Sequence, residues 1–187
     1  MRPAGYAPLR ALRATTLTWL GHGRRGVRAI QRWAHTTQAK VVLGSYREPL
    51  HVNGRSSFTR RTHLGRNTHF NGLTVAGLGS VTIGDNFHSG PDCLLITSIH
   101  NYDLGATLPY DGTHVMKDIV IEDNVWLGSR VTIIGGVRLG EGCIVQAGAV
   151  VVSDVPKCAI VGGNPAAVFK TRDVDHYERL KREGKFA

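Results

Sequence analysis

From Ile121 to Val155 an aliphatic side chain returns at every sixth position: Ile121, Leu127, Ile133, Leu139, Val145 and Val151. Four places after each stands a small or β-branched residue: Val125, Val131, Val137, Cys143, Ala149 and Val155. A period of six matches neither the 3.6 residues of an α-helical turn nor the two-residue alternation of a flat strand. It matches a parallel β-helix, in which each six-residue unit is one short strand and one turn, and three units close a triangular coil. Residues eighteen apart then stack, Ile121 on Leu139, Leu127 on Val145 and Ile133 on Val151. Coils about 4.8 Å apart would bond backbone to backbone with the coils above and below.

Upstream the same phase is present, less cleanly. Val52, Phe58, Leu64 and Phe70 are six apart, with Ser56, Thr62, Thr68 and Thr74 four places on. A slip of one residue falls between Ala76 and Thr82, and Ile83, Ser89 and Leu95 resume, with Phe87, Cys93 and Ile99 at the corners. The register breaks over Asn101 to Asp118, a stretch rich in turn formers, and restarts at Ile121. A long insertion in a compact repeat is more often functional than not.

Beyond Val155, Pro156 and the Gly162-Gly163-Asn164-Pro165 turn end the repeat. Asp173 to Gly184 then predicts a short helix N-capped by Asp173 and expected to cover the open end of the prism. At the other end, Leu9, Leu12, Leu17 and Leu20, then Gly21-His22-Gly23, then Val27, Ile30 and Trp33 predict two short amphipathic helices with a break between them. The expected organisation is a basic helical extension over 1–47, a β-helix over 48–160 with an inserted loop over 101–118, and a C-terminal turn and capping helix over 161–187.

Charge changes the picture at one end only. The net charge is +9, and residues 1–47 hold eight Arg and one Lys with no Asp or Glu, while 48–187 hold fourteen basic and fourteen acidic residues. The body is therefore neutral, and a nucleic-acid partner is not expected for it. The extension reads in three ways: a helical arm packed on the prism, a peripheral membrane contact through residues 1–47 using Trp19, Trp33 and the arginines, or a targeting segment. No apolar run is long enough to span a bilayer. The three cysteines, Cys93, Cys143 and Cys158, form no CxxC pair, so neither a disulfide framework nor a cysteine zinc site is expected, and a reducing compartment fits better.

Histidine is the candidate chemistry. His63, His69, His88 and His100 share the sixth position of the unit, which points away from the prism. His69 and His88 are nineteen apart, one coil plus the slip, and are expected to stack. His100 ends the last unit before the loop, where an imidazole with an ordinary pKa near 6.5 can serve as a general base. Three converging histidines, His69, His88 and His100, would be the set available to a metal.

Three blocks carry a resemblance: Val81-Thr82-Ile83-Gly84-Asp85-Asn86, Ile121-Glu122-Asp123-Asn124-Val125-Trp126-Leu127-Gly128-Ser129 and Gly162-Gly163-Asn164-Pro165-Ala166. From about Val52 to Arg172 the chain resembles the maltose/galactoside O-acetyltransferase branch of the hexapeptide-repeat acyltransferases, and its long loop with Tyr110-Asp111 resembles members acting in polysaccharide decoration. The resemblance implies an all-β left-handed parallel β-helix, a homotrimer with sites between subunits, and transfer of acetyl from acetyl-CoA to a carbohydrate hydroxyl. It implies His100 as the catalytic base and contacts to CoA at Ser129, Ala147, Val152, Lys170 and Trp126. On the acceptor side it points to His69, where relatives carry Asn, and to Asn71, with His88, Asp103, Tyr110 and Asp111 nearby; Asp103 could orient His100. No metal is expected, and the expected location is cytoplasmic or at a membrane surface. A metalloenzyme resembling the γ-type carbonic anhydrases, a non-catalytic scaffold and N-acetylation of an amino sugar remain as alternatives.

Overall fold

The computed structural model describes residues 10–187, with side chains from residue 26 onward; Leu9 and the side chains of Leu12, Leu17, Trp19 and Leu20 lie outside the described residues. A helix, α1 (Arg10–Val42), leads into seventeen short strands and a closing helix, α2 (Val174–Arg182). The first strands are β1 (Leu50–Val52), β2 (Thr62–Leu64), β3 (Thr68–Phe70), β4 (Leu73–Ala76), β5 (Val81–Ile83), β6 (His88–Ser89) and β7 (Cys93–Ile96). Two more, β8 (Ser98–His100) and β9 (His114–Met116), form a hairpin. Then come β10 (Ile119–Ile121), β11 (Trp126–Leu127), β12 (Thr132–Ile134), β13 (Val137–Leu139), β14 (Ile144–Val145), β15 (Val150–Val151), β16 (Ala159–Gly163) and β17 (Ala166–Thr171).

The strands line three parallel faces of a solenoid. The first face is ordered β2-β5-β10-β13, the second β1-β3-β6-β11-β14-β16, and the third β4-β7-β12-β15. The predicted stacking pairs are in register: Ile121 with Leu139, Leu127 with Val145, Ile133 with Val151. All twelve hexad and corner residues from Ile121 to Val155 are buried. Each such aliphatic side chain contributes about 1.5–3 kcal/mol on burial, which is why the six-residue period is held so strictly there. The one-residue slip is real, since Leu64 pairs with Ile83 and His69 with His88, each nineteen positions on. Val75 pairs with Leu95, twenty on, because the corner between β3 and β4 is one residue short: Ser57 bridges Thr74, seventeen on, while the corner before β7 keeps the regular spacing.

One corner is built from a ladder. Asn67, Asn86 and Asn124 adopt the left-handed conformation (φ 54°, 55° and 61°) that Asn tolerates better than most residues. Asn67 Nδ2 donates to Asn86 Oδ1 at 3.0 Å, and Asn86 Nδ2 to Asn124 Oδ1 at 2.9 Å. The next rung is Gly142 (φ 70°), where a Cβ would meet the Tyr177 ring at 2.7 Å. The Tyr177 hydroxyl fills that rung, accepting from Asn124 Nδ2 at 2.9 Å and donating to Glu141 Oε1 at 2.8 Å.

Two expectations about the helices are corrected. The amino-terminal segment is one helix running through Gly21-His22-Gly23 instead of two broken there. Glycine costs a helix about 1 kcal/mol against alanine, which lowers its stability without forcing a break, and no proline stands within Arg10–Val42. The second correction concerns α2. Asp173 caps it as expected, accepting from His176 N at 2.9 Å, but α2 runs along a corner instead of covering the open end. Tyr177, Glu178 and Lys181 meet Asn124, Glu141 and Lys157 from successive coils, because those coils offer Tyr177 a polar slot and two ion pairs. At the amino-terminal end, α1 covers the prism: Ala39 is buried in the core and Thr36 Oγ1 accepts from Val52 N at 3.1 Å.

Candidate active site

The insertion leaves the solenoid at the corner between the third and first faces. Lys117 N and Gly79 N both donate to Thr97 O, at 2.8 Å and 3.1 Å, so the coil closes beneath it. Within the insertion β8 pairs antiparallel with β9, setting His100 opposite His114. The His100 ring is exposed and stacks on Tyr110 with centroids 3.8 Å apart at 16°, and His114 packs against it at 4.5 Å. Tyr110, expected on the acceptor side, is thus brought directly onto the candidate base. His114 was missed by sequence reasoning, because no repeat phase runs through the insertion to place it.

Asp103 lies exposed in a turn, and the imidazole is held by Tyr110 and His114 instead of by that carboxylate. The reason is local: β-pairing turns the His100 ring toward β9 and the returning strand. Asp111 is committed within the hairpin. Its carboxylate accepts from the Thr113 hydroxyl and from the amides of Ala106 and Thr113, and these bonds hold its pKa down to about 2. It fixes the hairpin tip as an anion that already accepts three hydrogen bonds.

The second face carries the other group. His51, His69 and His88 form an outward ladder, the first pair with centroids 4.4 Å apart and the second stacked at 4.4 Å and 6°. Trp126 continues it in register with His88 and is 54% exposed. Burial first, then the charges of His88, His51 and Arg32, push the His69 pKa down to about 4. A neutral His69 is thereby kept as a hydrogen-bonding group, 3.1 Å from Asn67 Oδ1. His51 was not singled out from the sequence, although it precedes Val52 as His69 precedes Phe70 and stands eighteen residues before it.

Asn71 lies at the corner between the second and third faces, donating to Ser89 O at 2.8 Å. Ser129 and Ala147 occupy the same corner one coil apart, with Gly148 N donating to Ser129 O at 2.8 Å. A Cβ on Gly128 would come within 2.5 Å of Ala147 N, so the backbones of these two corners are in close contact. Lys170 is exposed on β17 beside Ile160 at the end of the second face, and Val152 is exposed just past β15 on the third.

Apart from Val152 on the third face, the candidate residues fall into two sets. His100, Asp103, Tyr110 and Asp111 sit on the hairpin, at the corner between the third and first faces. His69, Asn71, His88, Trp126, Ser129, Ala147 and Lys170 sit on the second face or its edge. In a triangular cross-section that corner lies opposite the second face, so the core of one chain stands between the two sets. The buried thiols are poor nucleophiles: burial pushes Cys143 up to about 12 and raises Cys93 and Cys158. Among the described residues no group of three or more His, Cys, Asp or Glu is placed to hold a metal ion, and no described helix is long and apolar enough to cross a membrane.

Comparison with known proteins gives the following. Residues 118–153 match the family described as bacterial transferase hexapeptide (six repeats). The galactoside O-acetyltransferase of Escherichia coli is 34% identical over 125 residues, 65% of this chain and 61% of that protein. YvoF of Bacillus subtilis is 31% identical over 128 residues, 65% of this chain and 67% of YvoF. A hexapeptide-repeat acetyltransferase of Vibrio cholerae, solved with acetyl coenzyme A, superposes with a TM-score of 0.60 at 28% identity over 72% of this chain and 73% of that one. The matched stretch spans 50% to 61% of the length of several of the curated relatives. The solenoid shared with these structures is the left-handed parallel β-helix.

Proposed function

We infer, because this chain belongs to the hexapeptide-repeat acetyltransferases, that it moves an acetyl group from acetyl-CoA to a hydroxyl of a carbohydrate. The observation that carries this reading is the placement of His100: an exposed imidazole at the root of the one long insertion, packed by Tyr110 and His114. A sugar hydroxyl is a weak nucleophile until a base removes its proton. His100 accepts that proton as the hydroxyl oxygen attacks the thioester carbonyl, and returns it to the departing CoA sulfur when the tetrahedral intermediate collapses. Acetyl ends on the acceptor, and no acyl-enzyme is needed. The inertness of the three buried thiols supports this direct route.

The donor would run along the corner of Ser129 and Ala147, whose small side chains leave a shelf, toward Lys170, an exposed cation suited to a phosphate. Acetyl-CoA is the donor bound by the Vibrio cholerae relative. The acceptor would meet the ladder of His69 and His88 with Asn71 beside it. Since the core of one chain separates these groups from His100, a complete site is assembled from two copies, with the hairpin of one reaching the second face of the next. Three copies in a ring satisfy this head-to-tail contact with a closed homotrimer. The likeness of the long insertion with Tyr110-Asp111 to members acting in polysaccharide decoration supports a polysaccharide precursor as acceptor. Three unpaired cysteines support a reducing compartment, the cytoplasm or its membrane surface.

The test is release of free thiol from acetyl-CoA across a panel of neutral and anionic glycan acceptors. His100→Ala, with its assembly mass unchanged, is expected to lose about 10²–10⁴-fold in turnover, the contribution of a positioned general base. A variant keeping more than about a tenth of the rate refutes the role of His100.

A further inference from the structure

The helix α1 is amphipathic the wrong way round for a helix that packs on a core. Its contact with the prism is made by Thr36 and Ala39 near its end and by Leu43 just past it. Val27, Ile30, Trp33 and Val41 are 55%, 67%, 71% and 74% exposed. In helical projection Ala39 stands half a turn from Ile30, so the apolar stripe faces away from the prism. A surface helix ordinarily turns such a stripe inward, and four large apolar residues on one outward face mark an interaction surface.

Charge selects the partner. The helix sequence carries Arg10, Arg13, Arg24, Arg25, Arg28, Arg32 and Lys40 and no acidic residue. Of the described cations, Lys40 is paired, at 2.5 Å from Glu48. Docking the same helix from a second copy would bring no negative charge to these cations, since the helix carries none. An anionic surface is complementary to them. We propose that α1 lies flat in the headgroup region of an anionic lipid bilayer, with Val27, Ile30, Trp33 and Val41 inserted and the prism held above the surface on the opposite side of the helix. A helix about 10–12 Å wide lying in that plane keeps Arg28, Arg32 and Lys40 within about one Debye length of the headgroups. Tryptophan is a side chain favoured at that depth. The arrangement is the one expected of an interfacial helix: a polar, basic face, an apolar face, and too little overall hydrophobicity to cross.

The proposal is independent of the acetyl-transfer reading, and its test reads binding alone. Full-length protein is co-sedimented with vesicles of phosphatidylcholine containing phosphatidylglycerol, and with vesicles of phosphatidylcholine alone. The protein is expected to sediment with the anionic vesicles, less so as salt is raised, and to stay in solution with the neutral ones. Ile30→Ala/Trp33→Ala, matched to the parent by circular dichroism and light-scattering mass, is expected to lose at least about tenfold in affinity. Arg28→Gln/Arg32→Gln is expected to weaken binding and flatten its salt dependence. Failure of the parent protein to sediment with anionic vesicles overturns the proposal, as does unchanged binding of either double variant. A change in assembly mass on altering Ile30 and Trp33 also overturns it, since that face would then be covered by another copy.

Discussion

His69 shows how a neighbourhood decides what a side chain can do. Burial and the positive charge it would share with His51, His88 and Arg32 push its pKa from an ordinary 6.5 to about 4. It is therefore neutral at pH 7. Asn67 donates its amide hydrogens to Asn86 and to Ala187 O, so its Oδ1 accepts from His69 Nε2–H, and Nδ1 is left as an acceptor facing outward. Linkage gives the sign. Between pH 4 and 6.5 the unfolded chain binds a proton at this residue that the folded chain does not, so stability rises with pH through that window and is lost as pH falls through it. His51, also lowered by burial, acts in the same direction. Melting temperatures are expected to climb from pH 4 to pH 6.5 and then level, and His69→Gln is expected to shallow the climb. Asp111 acts in a separate window, contributing stability that is lost only as pH falls below its ordinary 3.8 toward 2. The outward direction of His69 and His88 was legible because the sixth position of the repeat has one orientation. The same phase places His51 and Trp126, and it went unused for His51. His100 and Ile99, expected to close the last unit before a loop over 101–118, lie instead on the hairpin that leaves the coil after Thr97, and Ile99 is not in the core. The contacts of His100 with Tyr110 and His114 were not legible, since they depend on pairing across an insertion that carries no repeat.

The solenoid strands and the hairpin answer to different physics. Hexads are held by burial of one face on the coil above and below, a constraint visible in composition at fixed spacing, and from Ile121 to Val155 the observed pairs are the predicted ones. The hairpin is held by backbone pairing of β8 with β9 and by the Asp111 bonds at its tip, which leave no periodic trace. Beneath it the coil closes on itself through Thr97. Replacing residues 99–116 by a short glycine linker is therefore expected to leave the melting temperature within a few degrees of the parent while abolishing acetyl-CoA turnover. A large loss of stability in that deletion would show that the hairpin supports the prism. The helices were the least legible elements. Gly21 and Gly23 in α1 lower propensity without dictating a break, and the sequence of α2 says that it is a helix without saying which surface takes it.

At the scale of the molecule, the core of one chain separates the candidate base from the ladder, and in the proposed assembly a second copy brings them together. Two variants that damage different halves of a shared site should then rescue one another. His100→Ala removes the base, and Ala147→Trp crowds the donor shelf. Each alone is expected to be inactive, and the two refolded together are expected to recover a measurable fraction of parental thiol release, because some mixed assemblies contain a site with neither change. Absence of recovery from mixed assemblies would place the base and the donor shelf of one site on a single chain. The corner ladder has a consequence for length. A repeat architecture can gain or lose whole turns, since each turn rests only on its neighbours. Here the Tyr177 hydroxyl must touch Asn124 and Glu141 at once while Glu178 reaches Lys157 and Ala187 reaches Asn67. Duplicating a turn between Asn124 and Glu141 would slide those anchors apart by about 4.8 Å and leave no single seat for the tyrosine. The closing helix is a ruler laid against the shaft, and it accepts only one number of turns.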